Sequence, residues 1–217
     1  MSSYSGYEPS VNTPCNLFMC HASILISRHI NLHNGKERDN LVRTTYKIDP
    51  AHSSAQFVVR HMMITNVRGA FNNLQGTVAY DPQNPAASSV DVIIDAKTIN
   101  TLEADRDVHL KSADFLDVEK FPTITFKSTT ATRDGDGGLD LKGDLTIHGV
   151  TKQVVLKVEG PTEEGKDPYG NVRVGASATT RIKRSDFGLK WNAALETGGV
   201  LVGDQLKINS EISLIKS

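Results

Sequence analysis

The chain has 217 residues with 24 basic and 25 acidic side chains, a formal net charge of −1, and so no basic field of the kind that grips nucleic acid. Its apolar fraction of 38% is that of a globular protein, and no apolar run reaches the length of a transmembrane helix. Aromatic residues are few and weighted to Phe, which suits an apolar interior better than a base-stacking platform.

Residues 1–43 differ from the rest. Residues 1–14 are rich in Ser, Tyr, Asn and Pro without periodicity, 17–30 hold the one apolar patch, and 31–40 are polar and charged. A secretory signal places Lys or Arg before a clean apolar run and small residues after it. Here no basic residue precedes Leu17, Cys20 and His21 break the run, and Arg28 and His29 stand where a cleavage site belongs. The expectation is a cytoplasmic protein whose first 43 residues are disordered or poorly packed. Leu41 or Val42, just ahead of the first strand, is a candidate native start. Cys15 and Cys20, with His21 beside them, supply too few ligands for a zinc site.

From residue 45 on, period-two alternation dominates. Phe57, Val59 and His61 share one face, as do Leu74, Gly76, Val78 and Tyr80, and then Val90, Val92, Ile94 and Ala96. The pattern continues through Ile124 and Phe126, through Leu139, Leu141, Gly143, Leu145 and Ile147, and through Val154, Leu156 and Val158. It ends with Val172, Val174, Ala176 and Ala178, then Leu206, Ile208, Ser210, Ile212 and Leu214. These are about eight strands with one dry and one wet face, the mark of antiparallel sheet. Turn signals such as Asp81-Pro82, the Gly-rich run at 134–138 and His148-Gly149 separate them. Such a set closes into a barrel or stacks as a sandwich. The small residues Gly76, Gly143, Ala176, Ala178 and Ser210 on dry faces favour a barrel with a cavity, which eight strands are wide enough to enclose.

Residues 100–122 interrupt the strands. Asn100 or Thr101 can cap a helix, with Glu103 completing a capping box. Leu102, Arg106, His109 and Ala113 share a helical face, and Asp107 and Lys111 have the spacing of a surface ion pair. Leu110, Phe115 and Phe121 form an apolar wedge suited to a barrel mouth, with Arg106 and His109 as polar groups beside it. The segment 185–191 interrupts the strands again, and Arg184, Phe187 and Trp191 can line the other side of an opening.

Catalytic constellations are missing from the sequence. It has no Gly-rich loop between strand and helix to cradle phosphate and no Gly-x-Ser-x-Gly elbow. Asp105 and Asp107 point apart on a helix, which rules against paired acid/base work. His52, His61, His109 and His148 form no ligand motif, though imidazoles lining a barrel could converge on a metal.

Several runs resemble the YceI-like family. They are Tyr46 to Ser53 followed by Phe57 to His61, Gly69-Ala70-Phe71, and Arg106-Asp107-Val108-His109-Leu110 with Asp114-Phe115. Phe121-Pro122 to Phe126, Gly143 to Lys152 with His148-Gly149, and Arg184-Ser185-Asp186-Phe187-Gly188 complete the set, in order and over the whole stretch from Thr45 onward. Leu116 stands where a second aromatic is common and Phe121 where Tyr is common. The resemblance implies a lipocalin-like antiparallel barrel with a helical insertion, binding polyisoprenoids or related amphiphiles, with no catalytic residues and no cofactor. Many members carry a secretory signal, in contrast to the reading of residues 1–43 above.

The expectation is then an extension, 1–43, and a mainly β domain, 44–217: a barrel of about eight strands that binds a polyisoprenoid or other long-chain amphiphile without catalysis. Expected pocket residues are Phe57, Val59, Phe71, Val92, Ile94, Leu110, Phe115, Phe126, Leu145, Phe187 and Trp191, with His61, Arg106 and His109 as headgroup contacts. A homodimer is left open. The alternatives are a histidine-dependent metalloprotein or enzyme on the same barrel, and a filled structural module without ligand.

Overall fold

In the computed structural model, residues 43–217 other than Asp136 and Thr197 are described; apart from Arg43, the expected extension and its cysteines lie outside them. The strands are β1 (Thr44–Ile48), β2 (Ser54–His61), β3 (Thr65–Phe71), β4 (Leu74–Tyr80), β5 (Ser89–Asp95), β6 (Thr123–Arg133), β7 (Leu139–Ile147), β8 (Val150–Glu159), β9 (Gly165–Lys166), β10 (Val172–Lys183) and β11 (Val202–Lys216). Among the described residues one α-helix, α1 (Ala104–Lys111), stands between β5 and β6.

Every pairing is antiparallel, and eight strands close into a barrel in the cyclic order β11, β1, β4, β5, β6, β7, β8, β10 and back to β11. The expected barrel is therefore the observed fold. β2 and β3 continue the sheet beyond β1 and β4. The reason is β11, whose fifteen residues outlast either partner. One of its edges pairs with β10 from Gln205 to Ile215, the other first with β2 from Val202 to Glu211 and then with β1 from Leu214 to Lys216. Between β1 and β2 the chain breaks at Pro50, whose ring supplies no ladder donor. The Asp49 carboxylate caps the short 3₁₀ turn there by accepting from Ala51 N at 3.0 Å. β1, β3 and β9 are additions to the eight strands legible in the alternation.

Alternation sets the inside. In β7, Leu139, Leu141, Gly143, Leu145 and Ile147 are all buried while Lys142 and Asp144 face solvent. β7 turns into β8 through His148 (φ 51°) and Gly149 (φ 72°), the two left-handed residues that a tight two-residue hairpin requires.

An ionic clamp holds the broken corner. Arg173 on β10 donates from Nη1 to Asp49 Oδ2 at 2.5 Å and from Nε to Asp167 Oδ2 at 2.7 Å, and His52 Nδ1 lies 2.8 Å from the same Asp49 oxygen. Hydrogen bonds first from Arg173 and then from His52 hold the Asp49 carboxyl down to about 2, from its ordinary 3.8. Those from Arg173 and Asn171 lower Asp167 as well. A carboxyl with a depressed folded pKa contributes stability above its unfolded pKa and loses it as the pH falls through the folded value. Arg173→Met is thus expected to be less stable than the parent at neutral pH, and the difference should narrow steadily as the pH falls from about 4 to about 2. Urea midpoints across that range decide; a gap that stays constant with pH would show that the clamp is not the cause.

Candidate functional site

The barrel interior holds a cavity of about 290 Å³ with an almost wholly apolar wall. It comes from an imbalance of side-chain size across the barrel. β10 and β11 contribute Ala176, Ala178 and Ser210, with Ala178 and Ser210 paired neighbours. β5, β6 and β7, on the far side of the ring, contribute Val92, Ile94, Phe126 and Leu145. The space left by the small residues is not refilled from the opposite wall. Two other small residues work differently. A Cβ on Gly143 would meet the Phe126 ring at 2.5 Å, and one on Gly76 would meet Asp91 O at 2.1 Å. These two glycines admit close neighbours and leave no room for a ligand, contrary to the reading of their size alone.

The segment between β5 and β6 reaches one end of this cavity. Its helix begins later than the sequence suggests. Asn100 Oδ1 accepts from Leu102 N at 2.8 Å, Leu102 takes φ 62°, and the Glu103 carboxylate becomes the cap, accepting from Arg106 N at 2.7 Å. Leu102 is consequently 95% exposed and does not join the buried face of the helix. Thr101, which is buried, ties the helix down. Its N and Oγ1 donate to Asp107 Oδ1 at 2.8 and 2.5 Å, and its Oγ1 and O accept from Arg106 Nε and Nη2 at 2.8 and 2.9 Å. Asp107 thus serves Thr101, not the expected pair with Lys111. Leu110, in the last turn of the helix, and Phe115 and Leu116 beyond it line the cavity. Phe121, expected in the same wedge, instead packs on the His148 ring at 4.5 Å between centroids, over the β7–β8 turn. Leu116 takes its place.

Across the mouth this segment between β5 and β6, the lid of the cavity, meets the segment after β10. The Trp191 ring lies 4.8 Å from His109 and 5.1 Å from Phe115, centroid to centroid. Arg184 opens a 3₁₀ turn (Arg184–Phe187) and holds this segment. Its guanidinium donates to the carbonyls of Gly203, Leu189 and Trp191 at 3.1, 2.7 and 2.8 Å. Burial pushes the Arg184 pKa down.

Of the expected pocket residues, Phe57, Val59, Phe71, Val92, Ile94, Leu110, Phe115, Phe126, Leu145 and Phe187 line the cavity. Four do not, and each has a local reason. Trp191 lies outside the wall, against the lid rings. His61 ends β2, opposite Val202 and Thr65, past the cavity-lining Val59. Arg106 is spent on Thr101. His109 Nε2 bonds Asp114 Oδ2 at 2.9 Å. Those placements put the three expected headgroup contacts off the cavity wall. Wall residues not singled out in the sequence include Leu206, Ile208 and Ile212; the same alternation that revealed their strand marks them. The four histidines stand apart, and among the described residues no group of three or more His, Cys, Asp or Glu could hold a metal. Nor, among those residues, is any helix long and apolar enough to cross a membrane.

Comparison with known proteins adds relatives. The family model of the YceI-like domain matches residues 46–214. A UPF0312 protein of Vibrio cholerae is 45% identical over 147 residues, 67% of this chain and 77% of that protein. Protein YceI of Escherichia coli is 42% identical over 151 residues, 69% of this chain and 78% of its own length. Among solved structures, the YceI protein of Campylobacter jejuni superposes with a TM-score of 0.60 at 30% identity, covering 72% of this chain and 89% of that one. A polyisoprenoid binding domain from Saccharophagus degradans, implicated in plant cell wall breakdown, gives a TM-score of 0.59 at 15% identity, covering 80% and 99%. At that identity the likeness is one of fold alone. With the family match running from β1 into β11, and with relatives above 40% identity, the chain belongs to the YceI-like family.

Proposed function

We propose that this protein binds a polyisoprenoid or related long-chain amphiphile inside its barrel, without catalysis, to carry, store or sequester it. The observation that carries the reading is the apolar cavity of about 290 Å³ under a lid made of Leu110, Phe115 and Leu116. The Saccharophagus degradans neighbour, a polyisoprenoid binding domain that shares the fold, supports the same ligand class. The energetics agree. Each buried methylene is worth about 0.8 kcal/mol, so a tail of roughly ten gains on the order of 8 kcal/mol, against an association cost of about 4–15 kcal/mol. A long tail and a cavity formed in advance are both needed, and isoprenoid chains supply the length.

The test is mass spectrometry of organic extracts from protein purified from its own host. A polyisoprenoid or similar long-chain lipid is expected at a substantial fraction of the protein concentration. Extracts with no lipid above those of a control protein purified in parallel would overturn the reading.

A further inference from the structure

One charged residue stands in the cavity wall. Arg184 lines the cavity beside Phe187 and Leu189 and is only 6% exposed. A guanidinium has five N–H donors. Here Nε gives one to Gly203 O, Nη1 gives two to Leu189 O and Trp191 O, and Nη2 makes a single long contact of 3.4 Å to Val202 O. All four acceptors are neutral carbonyls. Among the described residues Arg184 takes part in no ion pair. The nearby acid, Asp204, gives its oxygens to Ser185 N at 3.0 Å and Ser185 Oγ at 2.8 Å. A cation buried in an apolar wall without a counter-ion in contact is costly, and carbonyl dipoles offset only part of that cost.

The position of this charge matters as much as its isolation. Trp191, whose carbonyl holds Nη1, rests its ring on the lid residues His109 and Phe115. Arg184 therefore lies at the lid end of the cavity, and the wall continues from there to Tyr46 and Tyr80 at the other end of the barrel. We infer that Arg184 seats the anionic head, a phosphate or a carboxylate, of an amphiphile whose tail runs down the barrel. The spare Nη2 donor provides a charge-assisted hydrogen bond, and the ligand provides a counter-ion in direct contact, where Asp204 acts on the guanidinium only from a distance. This inference rests on the proposed function and sharpens it, because a neutral head would leave the buried charge as it is.

The experiment uses three ligands with one tail, geranylgeranyl phosphate, geranylgeranoic acid and geranylgeraniol, each displacing a neutral naphthylamine probe from the full chain. The two anions are expected to displace the probe at about tenfold lower concentration than the alcohol, or less. Whichever anion gains more identifies the headgroup, phosphate or carboxylate. In Arg184→Met the anion-to-alcohol ratio should fall to near one, and Arg184→Lys should restore part of it. Near-UV circular dichroism reports whether each variant folds; if Arg184→Met does not, the ratio in the parent protein decides alone. An alcohol that binds as well as the anions overturns the inference and leaves the lipid-binding barrel standing. If none of the three displaces the probe, the proposed function fails, and this inference with it.

Discussion

Ala178→Phe is expected to fold and to lose ligand binding. Ala178 lines the cavity from β10, and its neighbours Ala176 and Ser210 are small as well, so a phenyl ring placed there enters empty space. Inserting bulk into a filled core costs about 1–3 kcal/mol; into this cavity the cost should be lower. The ring then occupies the volume of part of the tail. Displacing about four methylenes at about 0.8 kcal/mol each removes roughly 3 kcal/mol of binding, a loss of 100-fold or more. Probe titration measures the affinity, and thermal melts establish that the variant is folded. A folded Ala178→Phe that binds as tightly as the parent would place the ligand somewhere other than the barrel interior.

Gly76→Ala should strike the fold itself. Gly76 lies in β4 opposite Val92 of β5, with φ at 156°, and an added Cβ would sit 2.1 Å from the backbone oxygen of Asp91. That oxygen belongs to the next rung of the same ladder, where Thr77 pairs with Asp91. Neither strand can yield without breaking the β4–β5 seam. Overpacking of about 1–3 kcal/mol and backbone strain of about 1–3 kcal/mol combine to a loss of roughly 2–6 kcal/mol. In a domain of this size each kcal/mol lowers the melting temperature by about 2–4 °C. Urea and thermal unfolding both report it. A loss within about 0.5 kcal/mol, the range of an ordinary surface substitution, would mean that the two strands do not approach so closely.

The barrel was legible because strand geometry makes a promise that sequence can keep. Side chains alternate across a strand whatever their tertiary neighbours, so Leu139, Leu141, Leu145 and Ile147 declared their side of the wall from spacing alone. β3 made no such declaration. In Thr65 to Phe71 the residue Gly69 is there to admit the Phe57 ring, where a Cβ would meet it at 2.4 Å, and that need arises only once β2 and β3 have paired. The lid was legible as a segment but less so in its details. Asn100 and Glu103 both have capping chemistry; which one caps depends on the left-handed turn at Leu102. Headgroup candidates chosen for their polarity, His61, Arg106 and His109, turned out to be engaged elsewhere or off the wall. Arg184, flagged as lining an opening, is the charged residue that reaches the cavity. What distinguishes it is the set of carbonyls from Leu189 to Gly203 gathered around it, a convergence of chain segments that no local pattern records.

The long closing strand also bears on how the barrel is made. β11 seals the ring against both β10 and β1, and Tyr46, near the start of the domain, pairs with Lys216. Seven of the eight barrel strands can pair with their neighbours while the ring is still open, leaving the apolar wall facing water along an unpaired seam. Contacts so distant in sequence form slowly because the loop must close before they reward it. During synthesis, then, the interior stays exposed until the last strand has left the ribosome. For that interval the future binding surface is also the part of the chain most prone to aggregation and to capture by chaperones.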